Sequence, residues 1–146
     1  MIFKRFSIVL IIVLLMLAML LACNSGTTTS GDTSTTGVSG VSFSQEIQSI
    51  FNSNCVVCHQ SATATGDLNI EAGFAYINLV NVESTQSPLM LVAPGDSDGS
   101  YLLHKLRGTQ AEVGGSGLRM PYGASPLQQS QINLVQQWIE QGAPDN

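Results

Sequence analysis

Two cysteines and a histidine fall within five consecutive positions of SNCVVCHQ (53–60), at Cys55, Cys58 and His59. The 146-residue chain has only one other cysteine, Cys23. Beyond Cys23 the two thiols lie three positions apart in one motif, so no disulfide can brace distant parts of the fold. A chain of this length supports one small domain. That domain must be held by its apolar core or by a group bound at the motif.

The N-terminus is organised differently. MIFKRFSIVLIIVLLMLAMLLAC opens with Lys4 and Arg5 and then runs without a charge from Phe6 to Ala22. This is the layout of a secretory signal, although the apolar length also suits an uncleaved transmembrane helix. LLAC (20–23) resembles the bacterial lipoprotein signal, whose cysteine becomes the first residue of the mature protein and carries lipid. The expected organisation is a lipoprotein signal peptide over 1–22, a lipidated Cys23 with a flexible linker through 40, and a folded domain over 41–146. The linker stretch NSGTTTSGDTSTTGVSG (24–40) is too poor in apolar residues to repay its ordering. As a random coil it spans roughly 25 Å. The expected location is the bacterial cell envelope, on its periplasmic or cell-surface side, tethered to a membrane.

Beyond residue 22 three basic residues, Lys105, Arg107 and Arg119, face ten acidic ones, a formal charge of −7. Such a surface disfavours nucleic acid and anionic lipid headgroups as partners and suits a partner with a basic docking patch.

The remaining pattern reads as helical. SFSQEIQSIFNSN (42–54) places Phe43, Ile47, Ile50 and Phe51 on one helical face, with Ser42 and Gln45 spaced as a capping box. EAGFAYINL (71–79) predicts a short helix. GDSDGSYLLHKLRG (95–108) predicts another, capped by Ser97 or Asp98, with Leu102, Leu103 and Leu106 turned inward. SPLQQSQINLVQQWIEQGAP (125–144) predicts an amphipathic helix with Ser125 as N-cap, Pro126 at its first position and a stripe of Leu127, Leu134, Val135, Trp138 and Ile139. Strand signals are few. The fold class expected is all-α, with three to five helices.

Cys55-Val56-Val57-Cys58-His59 matches C-x-x-C-H, the attachment pattern for c-type haem. Thiols one turn apart can form thioethers with the two vinyl groups on a porphyrin edge. The histidine that follows is then placed under the iron as its proximal ligand. A redox dithiol would call for a βαβ context, which the helical flanks do not provide. A zinc site would need two further ligands, and only His104 remains.

With NCVVCH, the later VAPGDSDGSYLLHKLRG, RMP and WIEQGAP segments, in that order, make the region from about Phe43 to Ala143 resemble a small monohaem class-I-like cytochrome c. The resemblance implies a helical shell around one haem c attached through Cys55 and Cys58. It also implies a low-spin iron with histidine on one side and usually methionine on the other. The methionines outside the leader are Met90 and Met120. Met120 lies in the Gly/Pro-rich loop GLRMPYG, 61 residues after His59, where the family's Met-Pro pattern falls. It is the preferred sixth ligand. His104 is the alternative, and Met90 suits a role as core filler.

The expected site is thus Cys55, Cys58, His59 and Met120, the last two on the metal, with Cys23 as the lipidation site. Phe51 and Trp138 are candidates to pack on the haem edge. Lys105, Arg107 and Arg119 are candidates to pair with its propionates, Arg119 foremost for its place beside the ligand loop. The function implied is single-electron transfer by a monomeric envelope protein to redox partner proteins, with no enzymatic activity. A haem-based sensor of nitric oxide or carbon monoxide is the alternative, and it requires Met120 to be displaceable or absent from the iron. A peroxidase accessory role would need a second haem motif, which this sequence lacks.

Overall fold

The computed structural model describes residues 40–146. The expected signal peptide over 1–22, the expected lipidation site at Cys23 and the expected linker up to 39 lie outside the described residues. Among the described residues there are four α-helices: α1 (Gln48–Asn54), α2 (Ala75–Leu79), α3 (Tyr101–Arg107) and α4 (Gln129–Glu140). Isolated bridges such as Val80 with Val92 and Met90 with Ser100 pin the loop between α2 and α3 without forming a strand. The domain is all-α. No described helix is long and apolar enough to cross a membrane.

The chain enters α1 through a single π-helical turn, Phe43–Ile47. Ser42 Oγ accepts from Gln45 N at 3.3 Å, as the capping pattern predicts. The reciprocal bond goes elsewhere, since Ser42 N donates to the Glu46 carboxylate at 2.8 Å rather than to Gln45. The wider turn, in which Ile47 N reaches Ser42 O at 3.3 Å, moves the returning side chain on by one position.

α4 carries the core. Its Ile132, Val135, Trp138 and Ile139 are buried, and it packs against α3 and the π-helical turn. The helix begins three residues later than its sequence predicts. Gln128 is still extended (φ −61°, ψ 146°), and Gln131 Oε1 accepts from Gln128 N at 3.1 Å. Pro126 biases Ser125 away from helical backbone, and the extended stretch carries Leu127 into the core instead. α3 is likewise capped later, at Ser100, because Asp96–Gly99 is a turn closed by Gly99 N on Asp96 Oδ1 at 2.8 Å. The predicted helix over 71–79 keeps its end but starts at Ala75, its first residues forming a turn on the Glu71 carbonyl.

Phe43 is the hub of an aromatic cluster, its ring centroid 5.2 Å from Trp138, 5.4 Å from Tyr76 and 6.4 Å from Phe51. Trp138 Nε1 donates to the Pro144 carbonyl at 2.9 Å, and the Tyr76 hydroxyl to Ala143 O at 3.1 Å. The two ends of the domain meet. Val41 N donates to Gln141 Oε1 (2.9 Å), Phe43 N to Asn146 Oδ1 (2.7 Å) and Ser44 N to Asn146 O (2.8 Å).

Candidate functional site

The end of α1 delivers the cysteine motif. Cys55 caps that helix, its N–H on the Phe51 carbonyl at 2.8 Å. The chain then turns within the motif, so that Cys58 N and His59 N both donate to Cys55 O, at 3.1 and 3.0 Å. Three further bonds fix the turn. Thr65 N and Thr63 Oγ1 donate to Cys58 O at 3.1 and 2.8 Å, and Ile70 N donates to His59 O at 2.9 Å. Downstream, Ser61 N donates to Glu71 Oε2 at 2.9 Å, and this bond holds the Glu71 carboxyl below its ordinary range.

Cys55, Cys58 and His59 line a cavity of about 460 Å³, within the range of roughly 300–1,000 Å³ usual for small-molecule and cofactor sites. One side of its wall is the motif and the chain that follows it, to Leu68 and Ile70. Other parts are Leu79 at the end of α2, the loop Val82–Gln86, and Tyr101, Leu102, Lys105 and Leu106 of α3. The last part is Met120, Pro121, Tyr122 and Ala124. The wall is mainly apolar. Val57 and Tyr122 are largely exposed at its rim.

Both thiols are free, Cys55 half-buried and Cys58 exposed. Burial, and secondarily the neighbouring Cys58, push the Cys55 thiol up to about 11. His59 Nδ1 is buried and has no hydrogen-bond partner among the described residues. An unpartnered polar atom in such a place costs about 1–3 kcal/mol.

Met120 is half-buried in the cavity wall, held there by its N–H on the Lys105 carbonyl at 2.8 Å. His104 is not in the wall. Its Nδ1 pairs with Thr109 Oγ1 and its Nε2 with the Asp98 carbonyl, each at 2.9 Å, so both ring nitrogens are occupied. Met90 is also outside the wall and is 39% exposed, which does not suit a core filler.

Four candidates from the sequence fall elsewhere than expected. Phe51 and Trp138 are core residues and do not reach the cavity. Arg119 does not line it either. Its guanidinium donates to the Met120 and Ala124 carbonyls at 3.4 and 3.0 Å, and its stem packs over Gly108. Arg107 is exposed and donates to Gln136. Lys105 alone of the three basic residues faces the cavity, and it is 9% exposed. Desolvation pushes its pKa below the ordinary lysine value. The signal for this was its position four residues after Tyr101 and three after Leu102, on the inner face of α3.

The residues present fit a haem better than a bare ion. Among the described residues, no three His, Cys, Asp or Glu side chains are grouped to hold a metal ion alone. The cavity instead combines a mainly apolar wall with two free thiols, the His59 imidazole and a thioether. No protein-family model matches the chain, and no curated protein or solved structure is detectably similar to it.

Proposed function

We propose that this protein is a single-electron carrier of the cytochrome c kind, with one haem c held by Cys55, Cys58, His59 and Met120. The observation that carries the reading is the convergence of the complete C-x-x-C-H motif and Met120, 61 residues apart, on one apolar cavity. The family-level reading rests on the motif and on this convergence, since the comparisons add nothing to it.

Cys55 and Cys58 would hold the group through thioether links, each thiol adding across a vinyl group with its proton passing to the neighbouring carbon and no net oxidation. His59 would hold the iron through an imidazole nitrogen. Met120 supplies a soft, neutral thioether, which favours Fe(II) and raises the potential relative to a second histidine. Bound there, the haem contributes one-electron chemistry between Fe(II) and Fe(III). Leu68, Leu79, Leu102 and Leu106 exclude water from the cavity, and the open rim at Val57 and Tyr122 is where an electron can pass to a partner. With His59 and Met120 both serving as ligands, the iron would have no open position for a substrate. On this reading the protein is not an enzyme. The lipid anchor at Cys23 and the linker would keep the carrier at high effective concentration near membrane-bound redox partners.

The deciding experiment is the optical spectrum of the matured protein, oxidised and reduced, for wild type, Met120→Ala and His104→Ala. Expected is a low-spin c-type spectrum with a far-red sulfur-to-iron band, lost in Met120→Ala and kept in His104→Ala. A high-spin wild-type spectrum with rapid carbon monoxide binding would overturn the carrier reading in favour of ligand sensing. A band insensitive to Met120 would place the sixth ligand elsewhere.

A further inference from the structure

The cavity wall contains a buried cation that the ligand set leaves unused. Lys105 is 9% exposed, yet its Nζ has one long hydrogen bond, to the Ser116 carbonyl at 3.4 Å. It also lies 5.9 Å from the centroid of the Tyr101 ring. No carboxylate among the described residues compensates it. Carbonyl and ring together are weak compensation for a desolvated ammonium, since buried charges are ordinarily paired with an opposite charge. An anion entering the cavity would supply the missing counter-charge.

The neighbourhood has the shape of a small polar cradle. A methyl group built on Gly117 would lie 3.0 Å from Lys105 Nζ and 3.3 Å from Gln86 Oε1, so the two polar tips converge on that glycine. Gly117 adopts φ +75°, a backbone conformation that side chains rarely take, and the absence of one keeps the cradle open. The other end of the Gln86 amide points toward Gly66, across from it in the same wall. The Tyr101 hydroxyl is committed to Ser116 O at 2.8 Å, which leaves the ammonium as the group to meet an anion. Arg119, the cation nearest Met120 in sequence, is already spent on two carbonyls.

We infer that Lys105 forms a carboxylate-binding subsite at the cavity wall and pairs there with one haem propionate. This rests on the haem reading above. The ion pair neutralises a negative charge close to the iron, so it raises the reduction potential and keeps that propionate inside the protein.

The test uses the matured, haem-bearing chain. A chain that emerges from export without covalent haem overturns the cofactor reading, and this inference with it; a haem-bearing chain isolates the lysine. The sequence has two lysines, Lys4 and Lys105, so selective ¹⁵N-lysine labelling gives an almost unambiguous side-chain signal in the unmutated protein. Expected are exchange-protected ammonium protons with nuclear Overhauser contacts to propionate methylenes. Their absence in a folded, haem-bearing protein would overturn the inference. In Lys105→Gln, the propionate-bending band in the resonance Raman spectrum should shift and the midpoint potential should fall, while Arg119→Gln leaves both in place. Unchanged values in Lys105→Gln, or a band that follows Arg119 instead, would overturn it equally.

Discussion

Cys55 and Cys58 share a motif but not an environment. Cys55 is half-buried, with its thiol pushed up to about 11, whereas Cys58 is exposed. At pH 8 roughly one Cys55 thiol in a thousand is then the reactive thiolate. In a haem-free preparation, iodoacetamide followed by peptide mass spectrometry should find Cys58 modified well before Cys55. The Cys55 rate should climb about tenfold per pH unit until about 11. The linked effect on stability has a definite sign. Because the folded state holds the Cys55 proton more tightly than the unfolded one, that contribution is complete below pH 9 and is lost as pH rises toward 11. Equal alkylation rates at pH 8 would show that the thiol is not desolvated. A second test at this scale concerns Gly108, which ends α3 at φ +80° with the Arg119 Cδ 3.1 Å from where a Cβ would sit. Gly108→Ala should cost about 1–2 kcal/mol in urea unfolding, through backbone strain and crowding together.

At the scale of elements, α4 is the part whose loss the domain would feel most. Ile139 is fully buried on its inner face, and Ile139→Ala should cost about 2–5 kcal/mol in chemical denaturation. Ile77, on α2, is 65% exposed, and Ile77→Ala should stay within about 0.5 kcal/mol. Much of this was legible in the sequence, because the 3.6-residue period of Val135, Trp138 and Ile139 states directly which face is inward. Helix starts were less legible. At Pro126 and at Asp96–Gly99 several residues could cap, and only the tertiary fate of Leu127 and of the turn decides among them. The site divided in the same way. The cysteines and His59 are contiguous and carry their chemistry on their face, and the loop of Met120 is marked by its glycines and proline. Lys105 was hidden, because proximity in sequence to Met120 favoured Arg119 while burial, which is set by the orientation of α3, favoured the lysine. Phe51 and Trp138, candidates for the haem edge or for simple core packing, belong to the core, since a large aromatic on an inner face can as well meet another aromatic.

At the scale of the whole domain, residues 40–146 form a small helical unit with a mainly apolar cavity set beside, and not inside, its aromatic core. Phe43, Phe51, Tyr76 and Trp138 pack together without reaching that cavity. A chain lacking both thioether positions, Cys55→Ala/Cys58→Ala, should therefore keep a recognisable core while leaving apolar surface uncovered. Relative to the matured protein it should melt at lower temperature and bind a hydrophobic fluorescent dye. Indifference to the dye would mean that the cavity closes by itself. Net charge acts at this scale too. With a formal charge of −7 beyond residue 22, electron exchange with a basic redox protein should slow as ionic strength rises from about 10 to about 200 mM. A flat response would assign docking to the apolar rim at Val57 and Tyr122 instead.

The bonds joining Val41, Phe43 and Ser44 to Gln141 and Asn146 turn the chain into a clasped loop. Tension applied between its two ends would first load that clasp, leaving α1 to α4 unstretched until it opened. None of the clasp residues lines the cavity, so the cavity is mechanically insulated from whatever pulls on the ends of the domain.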